Sequence, residues 1–292
     1  MISQSVIENT EQVDTADWIG RSETRDGQLS PDLAGMLGAA TGHPAAGATD
    51  FGAGMPMPWL WHWAAFPEFV PMEALGEDGH PRLGGLLPPV PYPRRMWAGS
   101  KLAFEGRFAI GERLQRRSEI LSIDEKQGAT GPMVFVRVGH EITGRGGRVE
   151  ERQDIVYLKI PDRFRPPAPV PAPEAPIFVE PVVMSEARLF RFSAATFNAH
   201  RIHYDLPYAR EVEKYPALVV HGPLQAMLLI EAAARHTGQT PSRFSFRGIH
   251  PMFHGEALSL MGTPGAGGTS IDLCTVAAAG HQGLQATMEW NG

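Results

Sequence analysis

Between Phe197 and Ala209 the chain runs Phe-Asn-Ala-His-Arg-Ile-His-Tyr-Asp-Leu-Pro-Tyr-Ala, its densest run of groups able to move protons or orient a water. His203, with an unperturbed pKa near ~6.5, exchanges protons close to neutrality and is the natural general base. Asn198 can orient a water by hydrogen bonding but cannot take up its proton as a carboxylate would. His200 suits either a catalytic or a supporting part, and Asp205 suits a turn, because its short side chain accepts nearby backbone N–H bonds. Downstream stand His221, Gly222 and Pro223. Pro is favoured in a first helical turn, so the Gly222 N–H lies at the positive end of a helix, where a developing oxyanion is stabilised. His200, His203 and His221 also raise a metal site, but HxxH lacks the i, i+4 spacing and companion Glu of a helical zinc site, and no thiolate is near. No metal is expected.

These residues need elements to hold them. The spacing predicts a helix from Pro223 to a C-terminal stop at Gly238, apolar on nearly every side and therefore buried. The last strand is the clearest: Leu284, Ala286, Met288 and Trp290 share one face, with Gln285, Thr287 and Glu289 on the other. A proline-rich stretch from 161 to 181 reads as a linker. It divides residues 1–160 from 182–292, and the two parts resemble each other. Phe104 followed by Gly111-Glu112-Arg113-Leu114 parallels Phe246 followed by Gly255-Glu256-Ala257-Leu258, and a strand pair follows each. Buried helix and antiparallel strands together predict α+β units. Trp59, Trp61 and Trp63, two apart, suit one face of a strand in the core or in a tunnel wall.

A net charge of −6 and a pI near 6.0 argue against a nucleic-acid surface. The polar, acidic start has no signal-like apolar region, and no run is apolar enough to span a membrane. The single cysteine, Cys274, excludes an intrachain disulfide and fits a reducing cytoplasm. From Arg94 to Arg117 seven basic residues stand against three acidic ones over Tyr92–Glu119, a patch suited to phosphates or a carboxylate, or a solvated strand face.

Ile202-His203-Tyr204-Asp205 with Ala209, followed by Val219-Val220-His221-Gly222-Pro223-Leu224, resembles the signature of the MaoC-like, or type 2, hydroxyacyl-thioester dehydratases. Asn198, His200 and Arg201 stand where that pattern has Asp, Asn and Pro. This variant, with Pro93-Arg94-Arg95-Met96-Trp97-Ala98-Gly99 and the Trp59–Trp63 cluster, is similar to the branch containing the itaconyl-CoA and mesaconyl-C4-CoA hydratases. The resemblance implies a double hot-dog fold: an N-terminal unit over 1–160 that shapes an acyl tunnel, and a C-terminal unit over 182–292 that carries His203, Asn198 and Gly222. It implies hydration of a 2-enoyl-CoA, with His200, Asp205 and His221 around the catalytic group. Arg201 and Arg247 are the expected readers of an acyl carboxylate, joined by Arg94, Arg95 and Trp97 as substrate contacts. No cofactor is implied beyond the CoA of the substrate, and a homodimer is compatible. Dehydration of fatty 3-hydroxyacyl thioesters, a hot-dog thioesterase and a non-catalytic acyl-CoA-binding module stay open as alternatives.

Overall fold

The computed structural model describes residues 15–44, 51–128 and 131–292, so the polar first fourteen residues lie outside the described ones. Among the described residues, ten strands form one antiparallel sheet. In the first half these are β1 (Ser22–Gln28), β2 (Arg94–Gly106), β3 (Arg113–Gly128), β4 (Gly131–Gly144) and β5 (Gly147–Leu158). In the second they are β6 (Phe178–Val183), β7 (Arg243–Gly248), β8 (Ala257–Pro264), β9 (Ser270–Ala277) and β10 (Gln282–Glu289). The sheet order is β1-β3-β4-β5-β2-β7-β10-β9-β8-β6. Read outward from the β2–β7 seam, each half has the same connectivity: its second strand at the seam, then its fifth, fourth, third and first. Gly111 and Gly255, each at φ 80°, make the matching turns before the third strand of each half. The strand pattern of the first half is therefore repeated in the second.

Helix α1 (Pro31–Thr41) follows β1, capped by Ser30, whose hydroxyl accepts the Leu33 N–H at 3.2 Å. In the second half α2 (Glu186–Thr196) and α3 (Leu206–Glu211) precede the long central helix α4 (Gly222–Thr237), which ends on Gly238 at φ 67°. Leu224, Ala226, Met227, Leu229, Ile230, Ala232 and Ala233 are all buried, as an all-round apolar helix requires. Its two internal polar side chains have partners. Gln225 accepts from Thr275 Oγ1 at 2.7 Å, whose oxygen in turn accepts the Leu284 N–H, and Glu231 accepts the Trp59 N–H at 3.1 Å.

The halves differ in where their long excursion falls. In the first, α1 begins almost directly after β1, and the excursion comes later, between α1 and β2. In the second it comes between β6 and α4 and carries the histidine segment. Duplication of the sheet therefore does not duplicate the site.

Two expectations need correction. Phe178–Val183 pair with β8 as an edge strand, so the linker ends at residue 177; Pro181 is tolerated because β6 pairs on one side only. The linker is also not a free tether, since Val170 and Pro171 bond to Gln282 and Ala172 to Gly280. Trp59, Trp61 and Trp63 do not share a strand face: Leu60 is left-handed at φ 70° and Trp61–Ala65 form a 3-10 turn. They do enter the core, with Trp63 packed on Trp97 at 4.8 Å and donating to Glu151 at 2.8 Å.

The seam has almost no tolerance. Gly99 of β2 faces Phe246 and Arg247 of β7, and a β-carbon there would stand 2.3 Å from the Phe246 carbonyl oxygen. Backbone cannot yield cheaply, so Gly99→Ala should lower stability by about 1–3 kcal/mol, read as a reduced unfolding midpoint by calorimetry.

Candidate active site

The second-half excursion places its reactive groups by local rules. Phe197 ends α2 in the left-handed region, φ 53°, and Asn198 N–H bonds back to Ser193 O at 2.8 Å. The Asn198 Oδ1 accepts the His200 N–H at 3.0 Å, which leaves its amide hydrogens as the groups it offers elsewhere. A short 3-10 turn, Arg201–His203, follows. Asp205 then caps α3 by accepting the Tyr208 N–H at 3.0 Å. A small apolar cluster of Ile202, Tyr208, Tyr215, Val219 and Phe253 seats the turn, with Phe164 of the linker packed against it.

His203 Nδ1–H donates to the Val219 carbonyl at 2.7 Å. That bond fixes the neutral tautomer and leaves Nε2 with its lone pair. The ring is stacked on His221, centroids 3.6 Å apart, and lies edge-on to His200 at 5.3 Å. His221 caps the start of α4 from within the core and bonds Ser193 Oγ through Nε2 at 2.8 Å. Burial pushes the His203 pKa down to about 4, against the Val219 bond, which favours the charged form. Burial likewise holds His200 and His221 well below their ordinary value, helped by neighbouring histidines. All three are neutral at physiological pH.

His200 and His203 line a cavity of about 1380 Å³ that also exposes Asn198, Gly222, Trp97, Arg94 and Arg95. The Gly222 N–H is unpaired among the described residues, and a β-carbon there would meet nothing within 4 Å. A free amide at the N-terminus of a sixteen-residue helix thus borders open space beside His203.

The expected site residues divide. His203, Asn198, Gly222, His200, Arg94, Arg95, Trp97 and Arg247 border the cavity, while His221 supports it from behind. Arg201 does not reach it. Its guanidinium is tied to Asp205 at 2.7 Å, lies over the Tyr208 ring at 4.1 Å and donates to the Glu77 carbonyl. Asp205 is correspondingly a helix cap and Arg201 partner, without contact to His203. Arg94 is buried and committed to Glu213 at 2.6 Å. Arg95 forms no salt bridge among the described residues, although its charge acts on Asp78 and His80. Arg247 stands near the rim, bonded to Gln285. The basic patch disperses as well: Arg107, just past β2, covers Trp59, and Arg116 of β3 covers Phe66.

Two residues were not anticipated. Asp78 and His80, from the first-half excursion, meet His200, whose ring is 4.2 Å from that of His80. Ligand atoms of Asp78, His80 and His200 lie within 4.8 Å of one another, whereas His203 and His221 stack face to face and do not converge as ligands. The signal was Asp-Gly-His-Pro in a loop, visible but without a partner until the chain folds.

The hydroxyacyl-thioester dehydratase type 2 family model matches residues 60–254. The chain is 44% identical over 287 residues to the mesaconyl-C(4)-CoA hydratase of Chloroflexus aurantiacus, covering 94% of this chain and 97% of that protein. Over 75 residues, 25% of each chain, it is 37% identical to the mitochondrial hydroxyacyl-thioester dehydratase type 2 of Schizosaccharomyces pombe. Among solved structures, a MaoC-like dehydratase matches with TM-score 0.68 at 15% identity over 94% of this chain and 98% of that one. A double hot-dog protein of Mycobacterium tuberculosis matches with TM-score 0.59 at 16% identity, covering 92% and 95%. At such identities these two structures speak for the fold alone.

Neutral buried histidines set a pH dependence of stability. Below pH 6.5 the unfolded chain takes up a proton that folded His203 accepts only near pH 4. Its contribution is complete above pH 6.5 and is lost as pH falls toward about 4, by ~3 kcal/mol in total. Urea midpoints between pH 7.5 and 4.5 should fall accordingly, and less steeply in His203→Gln.

Proposed function

The chain belongs to the hydroxyacyl-thioester dehydratase type 2 family of hydro-lyases, and from that premise we propose that it adds water reversibly to a short, branched, dicarboxylic 2-enoyl-CoA such as mesaconyl-C4-CoA or itaconyl-CoA. The observation that carries the reading is the His203 ring, locked by Val219 with Nε2 free, in the same cavity as the unpaired Gly222 N–H. His203 takes a proton from water as the oxygen attacks the β-carbon, and Gly222 holds the thioester oxygen as it gains negative charge. Asn198 orients the water by donating from its amide. The identity to a mesaconyl-C(4)-CoA hydratase over nearly the whole chain supports the dicarboxylic substrate.

Arg95 becomes the proposed reader of the free carboxylate, in place of Arg201. It is a cation on the cavity wall that forms no salt bridge among the described residues, and its planar fork can form two charge-assisted bonds. Lys101, Lys159, Arg165 and Arg247 also line the cavity without acidic partners among the described residues and suit the CoA phosphates. The volume suits an extended thioester. No helix among the described residues is long and apolar enough to cross a membrane. A cytoplasmic setting, supported by the lone buried Cys274, and assembly as a homodimer, checked by light scattering, complete the proposal.

Incubation with mesaconyl-C4-CoA, itaconyl-CoA and crotonyl-CoA should remove enoyl absorbance without releasing thiol; thiol release would show a thioesterase instead. His203→Ala should lower kcat by at least ~100-fold with the fold intact, and Asn198→Ala by less. Near wild-type turnover in His203→Ala would end its assignment as the base.

Substrate discrimination is read separately. Arg95→Met should reduce kcat/KM about tenfold or more on the dicarboxylic thioester and little on crotonyl-CoA, whereas Arg201→Met should affect both equally.

A further inference from the structure

Hydration of a C2=C3 bond moves two protons, one off water and one onto C2. His203 accounts for the first, and Asn198, an amide, cannot carry the second. We propose that Asp78 and His80, delivered by the first-half excursion, form the catalytic dyad that supplies the proton at the α-carbon. This inference rests on the hydratase reading above.

The geometry is that of a braced acid–base pair. His80 Nδ1–H donates to Asp78 Oδ2 at 2.7 Å, while the His80 backbone N–H donates to Asp78 Oδ1 at 3.0 Å. The other ring nitrogen, Nε2, makes no hydrogen bond to the described residues. His80 lines the same cavity as Asn198, His200 and His203. Its ring lies 4.2 Å from His200, which in turn lies 5.3 Å from His203. The dyad and the base therefore flank one stretch of the cavity, with His200 between them.

This position is built rather than casual. Gly79, between the two residues, sits at φ +88°, and a β-carbon there would be 1.9 Å from the Ala199 carbonyl oxygen. The Arg201 backbone N–H donates to Asp78 O at 2.9 Å, and its guanidinium donates to Glu77 O at 3.0 Å. Gly76 N–H closes the turn on His80 O at 2.7 Å. Arg201, two residues from the base, is thus the clamp that holds the dyad against the site.

The step balances as follows. Water oxygen bonds to C3 while His203 Nε2 takes its proton, and the C2=C3 electron pair moves into the thioester as an enolate held by Gly222 N–H. C2 then bonds to the proton on His80 Nε2, and the imidazolium–carboxylate pair becomes imidazole and carboxylate. The proton on His203 returns to His80 through His200 or solvent, and one water has been added. In the empty site, burial and the Arg95 charge hold His80 below its ordinary pKa, while Asp78 draws it upward. A substrate carboxylate seated on Arg95 offsets that second contribution, while burial, the larger one, is opposed by the Asp78 carboxylate bonded to Nδ1–H.

The full-length protein is assayed on mesaconyl-C4-CoA as wild type, His80→Gln, Asp78→Asn and His80→Ala. His80→Gln should lose about 100-fold or more in kcat with KM within about threefold, and Asp78→Asn about tenfold, both at unchanged folding midpoint. Added imidazole should restore part of the kcat lost in His80→Ala. Wild-type kcat in His80→Gln or Asp78→Asn overturns the dyad, as does a loss that imidazole does not restore or that follows a lowered midpoint. If His80→Gln fails to fold, Asp78→Asn decides. Loss of wild-type activity to a chelator and its return with a divalent cation would overturn the dyad in favour of a cation on Asp78, His80 and His200. A wild-type protein that hydrates none of the three thioesters instead fails the hydratase reading, a result separate from any variant's.

Discussion

Antiparallel pairing of β2 with β7 is the contact on which the remaining architecture depends. It joins two five-strand units into one sheet and fixes how far each unit's excursion can reach across the other. Gly99 allows the backbones to approach there because it has no side chain to hold them apart. From that seam the second-half excursion folds over α4, and the first-half excursion arrives beside it carrying Asp78, His80 and the tryptophan-rich turn. A cavity bordered by both units follows from sheet continuity.

Within the cavity, chemistry is set mainly by exclusion of water. Three stacked or edge-on imidazoles remain neutral because charging any of them means placing an ion among apolar walls and other histidines. Neutral imidazole suits the proposed role of His203 as a base, and the Val219 carbonyl decides which of its nitrogens is available. Helix α4 supplies the complementary element, an unpaired amide at its positive end. The burial that stabilises α4 also aims that amide into the cavity.

Asymmetry between the halves has a simple origin. Both have the same strand order, yet the chain departs from the sheet before the helix in one and after it in the other. Only the former arrangement can put a histidine segment at the helix N-terminus. The first half begins its helix with Ser30 and Pro31 and has no room there for an equivalent of His203. Its excursion serves the neighbouring unit instead.

The sequence by itself determined what short-range physics can encode. The central helix was marked by Pro223 and Gly238, the terminal strand by its alternation, the repeat by matched glycine turns, and His203 and Gly222 by residue type beside a helix start. Local pattern also misled: three tryptophans two apart suggested a strand, but Leu60 in the left-handed region turned them into a 3-10 turn, and Pro181 suggested linker where one-sided pairing admits a strand. Direction in space was not legible. Arg201 next to His203 by number points away because Asp205, four residues on, captures it, while Arg95, over a hundred residues away, reaches the cavity. His80, with Asp78 bonded to it, reaches the cavity only through the first-half excursion. Which long-range groups converge is decided by packing between elements, and that information is carried by no single stretch of the chain.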